Sequence, residues 1–166
     1  MAKAKGKGKD KGEIFCAQGQ RPPPIQPPRG RERTDQAEGR PKQSFVVSHH
    51  REEDFDAGLR RYAKYRDLGI NKATNGMVRA HVIRLVPPCR PEEVSKRHFH
   101  DVDFQMVYVL KGWMKTEFAG QGAMVMEAGS CWIQPPRIEH LVLDYSDDCE
   151  VLEIILPADF ETVELE

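Results

Sequence analysis

The sequence predicts an all-β domain, a small closed or jelly-roll barrel, entered through a short helix and preceded by a basic tail. Three observations carry this. Between residues 78 and 156 lie seven short segments rich in Val, Ile, Leu and aromatic residues. Turn signals separate them: "PPCRP", "KG", "GQG", "EAGS", "PPR" and "SDD". No helical period intervenes. Short strands at this spacing argue a sandwich or barrel, and about 90 residues suit a small barrel whose strands point alternate side chains inward.

The chain opens on the tail. Residues 1–45 hold 11 Lys/Arg and 5 Asp/Glu, while residues 46–166 hold 14 and 21. The net charge of −1 therefore hides a basic segment on an acidic domain. "MAKAKGKGKDKG" has no apolar run, and five of the seven residues from Pro22 to Pro28 are proline. Such a stretch buries too little apolar surface to offset its ordering entropy, so disorder is expected over 1–45. It carries almost no aromatic interleaving, and no nucleic-acid partner is expected.

A lead-in follows over 46–75. In "REEDFDAGLRRYAKYRDLGI", Phe55, Leu59, Tyr62 and Tyr65 recur at spacings of four, three and three, one face of a helix. Glu52, Glu53 and Asp54 crowd its start, and Arg60, Arg61, Lys64 and Arg66 its end, as the helix dipole prefers. Gly69 supplies a stop.

The barrel is expected over 76–166. Its strands are read at Val78–Leu85, Met106–Leu110, Trp113–Phe118, Ala123–Glu127, Cys131–Gln134, Leu141–Tyr145 and Val151–Leu156. No apolar run follows the basic start as a secretory signal requires. Nothing approaches the roughly 20 apolar residues of a membrane span. The four cysteines, Cys16, Cys89, Cys131 and Cys149, form no CxxC pair. Reduced thiols and a cytoplasmic location are the expectation.

One stretch within this domain carries chemistry. In "RHFHDVDFQ", His98 and His100 stand two apart. On a strand, that spacing projects both imidazoles from one face toward a common point. Gln105 opens the next apolar segment. His140 begins a strand after the Pro135-Pro136 turn. Three neutral imidazoles suit Fe, Zn, Mn, Ni or Cu.

Two longer spacings sharpen this. His98-x-His100-x4-Gln105-x6-Gly112 resembles the first motif of the cupin superfamily. Gly129-x5-Pro135-x4-His140 resembles the second. Sixteen residues separate the two, as in compact single-domain cupins. The resemblance spans about residues 77–160. It implies a double-stranded β-helix barrel with one divalent metal ion per chain, iron ranking first. It places the ligands at His98, His100 and His140, with Gln105 where the family usually has glutamate. Three positions depart from the motifs: Glu92, Arg137 and Asp144.

Glutamine offers only a neutral carbonyl oxygen, so the site keeps its full positive charge and favours an anionic small molecule. It is also a poor general base. Asp144, four residues after His140, shares its face and is a candidate to orient an imidazole or line the pocket; a surface acid is the alternative. Glu153 on the last strand is costly if it points inward, unless paired. Tyr108 and Trp132 are read as core aromatics, Arg137 as a rim cation or a solvated one, His81 as structural, and His49 and His50 as exposed. Four methionines near the motifs (Met106, Met114, Met124 and Met126) suggest an apolar interior suited to an apolar or aromatic substrate. The resemblance implies a metal-dependent dioxygenase; a non-enzymatic binding protein and a metal-dependent isomerase or lyase are the alternatives. Family members are usually dimers, which implies a homodimer formed through exposed strand edges.

Overall fold

The computed structural model describes residues 42–58 and 60–165. The proline-rich tail up to residue 41, with Cys16, lies outside them, as does Leu59. Eleven strands form among the described residues: β1 Asp56–Ala57, β2 Ala63–Asp67, β3 Arg79–Leu85, β4 His98–Asp101, β5 Phe104–Lys111, β6 Trp113–Phe118, β7 Gly122–Glu127, β8 Cys131–Ile133, β9 His140–Tyr145, β10 Glu150–Leu156 and β11 Glu161–Glu164. Two single-turn helices, α1 Ile70–Ala73 and α2 Pro91–Val94, and a 3-10 turn at Glu52–Asp54 complete the list.

The strands divide into two antiparallel sheets. One runs β1-β2-β3-β10-β5-β8 and the other β11-β4-β9-β6-β7. The predicted strands are all present, with ends shifted by one or two residues. The predicted strands do not include β1, β2, β4 and β11, which are short or carry too few apolar residues to stand out; for β4 a strand is invoked only to account for the histidine spacing. The alternation of β5 shows how sequence becomes a wall. Gln105, Val107 and Val109 point inward and are buried, while Tyr108, Leu110 and Lys111 face out. Val107, Val109, Met114, Phe118, Met126, Tyr145 and Val151 form the core between the sheets. Each such side chain contributes roughly 1.5–3 kcal/mol by leaving water.

The predicted helix over the lead-in is not formed. Its acidic start makes only the 3-10 turn, and Ala63–Asp67 is a strand. Residues 63–67 pair with Leu85–His81, Tyr65 lying opposite Ile83. The backbone groups along the open edge of β3 explain the outcome. Leaving such groups buried and unpaired costs about 1–3 kcal/mol each, more than the preference of this stretch for a helix. Tyr62 and Tyr65 still reach the core, as their spacing suggested, but from an extended chain.

One turn depends on glycine. Gly112, between β5 and β6, has φ 65°, and an added Cβ would lie 2.1 Å from the Ser146 hydroxyl oxygen. No other residue fits there without moving its neighbours. No helix among the described residues is long and apolar enough to cross a membrane.

Candidate metal centre

Two strands of the five-stranded sheet bring the histidines together. His98 and His100 lie on β4, and His140 opens β9 directly opposite His98. One ring nitrogen from each lies within 4.8 Å of the other two. The ring centroids are 4.4 Å apart for His98–His140, 5.0 Å for His98–His100 and 5.3 Å for His100–His140.

The opposite edge of each ring is fixed. His98 Nδ1 lies 2.8 Å from the Lys96 carbonyl and His140 Nδ1 2.9 Å from the Ile138 carbonyl. A carbonyl only accepts, so both Nδ1 atoms carry the proton and donate. Their Nε2 atoms keep the lone pair, and that of His140 accepts from the Gln134 amide 3.3 Å away. His100 Nδ1 meets the Thr162 hydroxyl at 2.9 Å, β11 lying alongside β4. Burial keeps the rings neutral: it holds His98 down to about 3 and His100 to about 4, and it lowers His140 as well. Neutral imidazoles with oriented lone pairs are what a divalent ion requires, so the three side chains fit such an ion.

Gln105 stands on the facing sheet. It is 2% exposed, and its amide nitrogen donates to Glu153 Oε1 at 2.6 Å. Glu153 Oε2 lies 2.6 Å from His81 Nε2. Glu153 therefore points inward and is paired on both sides, which meets the condition set for an acid at that position. Burial opposes its charge, but the His81 hydrogen bond and charge, with the Gln105 amide, outweigh burial and lower its pKa. The row His81–Glu153–Gln105 crosses β3, β10 and β5 opposite the triad. His81 is thus a polar partner within the cavity wall.

A cavity of about 560 Å³ opens on the triad. Ile83, Leu85, Val107, Met114, Val142 and Val151 give it apolar walls, and Arg60, Tyr62, Arg79 and Phe160 stand among the polar and aromatic groups lining it. Of the four methionines, only Met114 lines the cavity; Met126 is core and Met124 is exposed. Trp132 lines the cavity, contrary to a purely core role, and Tyr108 is exposed on the outer face of β5.

Gln134 is a site residue that sequence reasoning missed. Its Nε2 lies 3.3 Å from His140 Nε2, and the Trp132 indole N–H donates to its Oε1 at 3.2 Å. Indole only donates, which fixes the amide orientation. Its place in motif two, six residues before His140, was the available signal.

Asp144 does not face the site. A bulge between β6 and β9 leaves Leu143 without a partner: Thr116 pairs with Val142, and Lys115 with Asp144. That extra residue reverses the alternation, so Tyr145 is buried and Asp144 exposed. Arg137 leaves the cavity too. It sits 3.5 Å from Asp101 and stacks over Phe99. His49 and His50 are exposed.

Comparisons with known proteins agree with this architecture. Residues 89–155 match the family model of the cupin domain. No curated protein matches the sequence. Among solved structures, the polyketide cyclase RemF from Streptomyces resistomycificus is similar, with 17% identity and a TM-score of 0.57 over 73% of this chain and 87% of that one. KdgF from a Halomonas species gives 17% identity and a TM-score of 0.52 over 69% and 94%. Salicylate 1,2-dioxygenase from Pseudaminobacter salicylatoxidans gives 10% and 0.52, over 66% of this chain but only 32% of that one. At these identities the likeness is one of fold. The motif spacing, the two-sheet barrel and the family match coincide on the same residues: this chain matches the cupin domain over residues 89–155 and shares the fold of these structures.

Proposed function

We propose that this protein holds one divalent metal ion on His98, His100 and His140, and acts as a dioxygenase-type oxidoreductase on a small organic acid. The observation that carries the metal site is the convergence of three neutral imidazoles whose Nδ1 edges are already engaged. Gln105 gives its amide nitrogen to Glu153 and is not among the residues that line the cavity, so it supports Glu153. Three protein donors leave coordination positions open. A redox-active ion such as iron supplies one-electron chemistry with dioxygen that the protein's own side chains lack. The apolar walls exclude water, and the imidazoles hold their lone pairs toward the centre. The dioxygenase reading is supported by this open three-nitrogen set and by the fold shared with salicylate 1,2-dioxygenase.

A second reading rests on Glu153. It is a cavity-lining carboxylate whose charge His81 favours. Its lowered pKa makes it a weak base, and it accepts a proton from a bound substrate, as a metal-dependent isomerase or lyase requires, only where His81 or Gln105 releases an oxygen. Oxygen consumption separates the two.

The test is metal analysis of full-length protein purified without added metal, then oxygen uptake with β-diketones, phenols and thiols. The expected result is about one ion per chain, lost in His100→Ala with the fold retained. Full occupancy in His100→Ala would refute the ligand assignment. Turnover without oxygen consumption would move the assignment to the second reading.

A further inference from the structure

Arg60 differs from several other arginines of the domain. Arg84, Arg97 and Arg137 each meet a carboxylate. Arg60 meets none among the described residues, and Glu164 acts on it only from a distance. Its guanidinium donates to the Tyr62 hydroxyl, a neutral partner. Arg60 lines the cavity with Arg79, whose guanidinium lies 5.4 Å from the Phe160 ring and also meets no carboxylate among the described residues. The acids of the wall are mostly committed. Glu153 is held by His81 and Gln105, and Asp67 accepts from the Gly69 N–H at 2.9 Å. Asp56 is exposed to solvent.

Arg60 and the three histidines line the same cavity. A half-buried cation without a contacting counter-charge is costly, and an anion entering the cavity relieves that cost. Ile83, Val107, Val142 and Trp132 give this cavity apolar wall.

We infer that Arg60 is the anion-binding residue of this cavity, and that its ligand is an organic acid whose carboxylate meets Arg60 while its apolar body lies against Ile83, Val107, Val142 and Trp132. The inference rests on this cavity being the substrate site of the metal-centre reading, but the Arg60 contact itself needs no metal.

The experiment uses full-length protein, metal-free and zinc-loaded. Benzoate and hexanoate are the probes, each compared with its neutral amide by calorimetry. At least one acid binds about tenfold or more tightly than its amide in both forms, as a charge-assisted hydrogen bond gives. Arg60→Gln removes that preference with zinc content unchanged and the thermal midpoint equal or higher. Arg60→Lys keeps part of it, because the charge stays and the planar fork is lost; this variant decides the matter if Arg60→Gln does not fold. Absence of the preference for both acids overturns the inference. So does a preference that survives in Arg60→Gln, or one that appears only on zinc loading, since the carboxylate then binds the ion. Failure to bind zinc, with the preference intact, sinks the metal reading and leaves this one standing.

Discussion

At Gln105 a single atom decides what the position can do. Its amide nitrogen gives Glu153 a hydrogen bond at 2.6 Å. Gln105→Glu removes that donor and sets two carboxylates against each other. In the metal-free variant one of them must take up a proton, so the pair's folded-state pKa rises. Stability from such a group is present at low pH and lost as pH rises through the raised value. Metal-free Gln105→Glu should therefore be less stable than the parent at pH 7, by about 1–3 kcal/mol, and its deficit relative to the parent should shrink at pH 5. If the residue's oxygen reaches the ion, zinc binding tightens as well. Denaturant unfolding at the two pH values and a zinc titration check both halves. Unchanged zinc affinity would mean that this side chain acts only on Glu153. The histidines were legible in the sequence because the two-residue period of a strand alone aims His98 and His100 together. The His81–Glu153–Gln105 row was not, since its members lie 72 and 48 positions apart and meet only through register.

Elements add what single residues cannot. β11 is a four-residue strand that the sequence reading passed over, yet it carries Thr162, whose hydroxyl meets His100 Nδ1. Thr162→Val keeps the shape and removes the partner. Zinc affinity should fall roughly tenfold to a hundredfold, as for other groups that orient a ligand, with the thermal midpoint nearly unchanged. An affinity equal to the parent's would show that β4 positions His100 unaided. The two misread elements share a cause. In β2, the helical spacing of aromatic residues was real, but pairing with β3 decided the backbone. In β9, the four-residue step from His140 to Asp144 was counted on an unbroken strand, and the bulge at Leu143 turned the acid outward. Both depend on a neighbouring strand that a local pattern does not contain.

On the scale of the whole domain, the buried histidines make stability depend on pH. In the unfolded chain they titrate near 6.5, whereas burial holds His98 at about 3 and His100 at about 4 in the fold. Between these limits the unfolded chain binds protons that the fold refuses. Their contribution is complete above pH 6.5 and is lost as pH falls toward 4. The thermal midpoint of metal-free protein should drop by more than about 5 °C from pH 7.5 to pH 4.5, the change expected for ~1 kcal/mol or more. A flat midpoint would show that the rings gain no protection from burial.

The contact between β4 and β9 has a further consequence. These two strands, which carry all three histidines, are joined in register at a single residue pair, His98 with His140. The backbone there is a seam closed by one stitch, with few amide bonds to resist its parting. A bound ion would act as a rivet through that seam. Loading and local breathing are then two readings of one equilibrium, because an ion that favours the closed seam slows its opening by the same free energy. Amide hydrogens of residues 98–101 and 140–142 that face the seam, unlike those bonded to β11 or β6, should exchange quickly in metal-free protein and slow sharply with zinc, while those of β5 and β10 change little. Equal slowing across both sheets would show that the barrel opens as one piece, and that the ion fastens the whole of it.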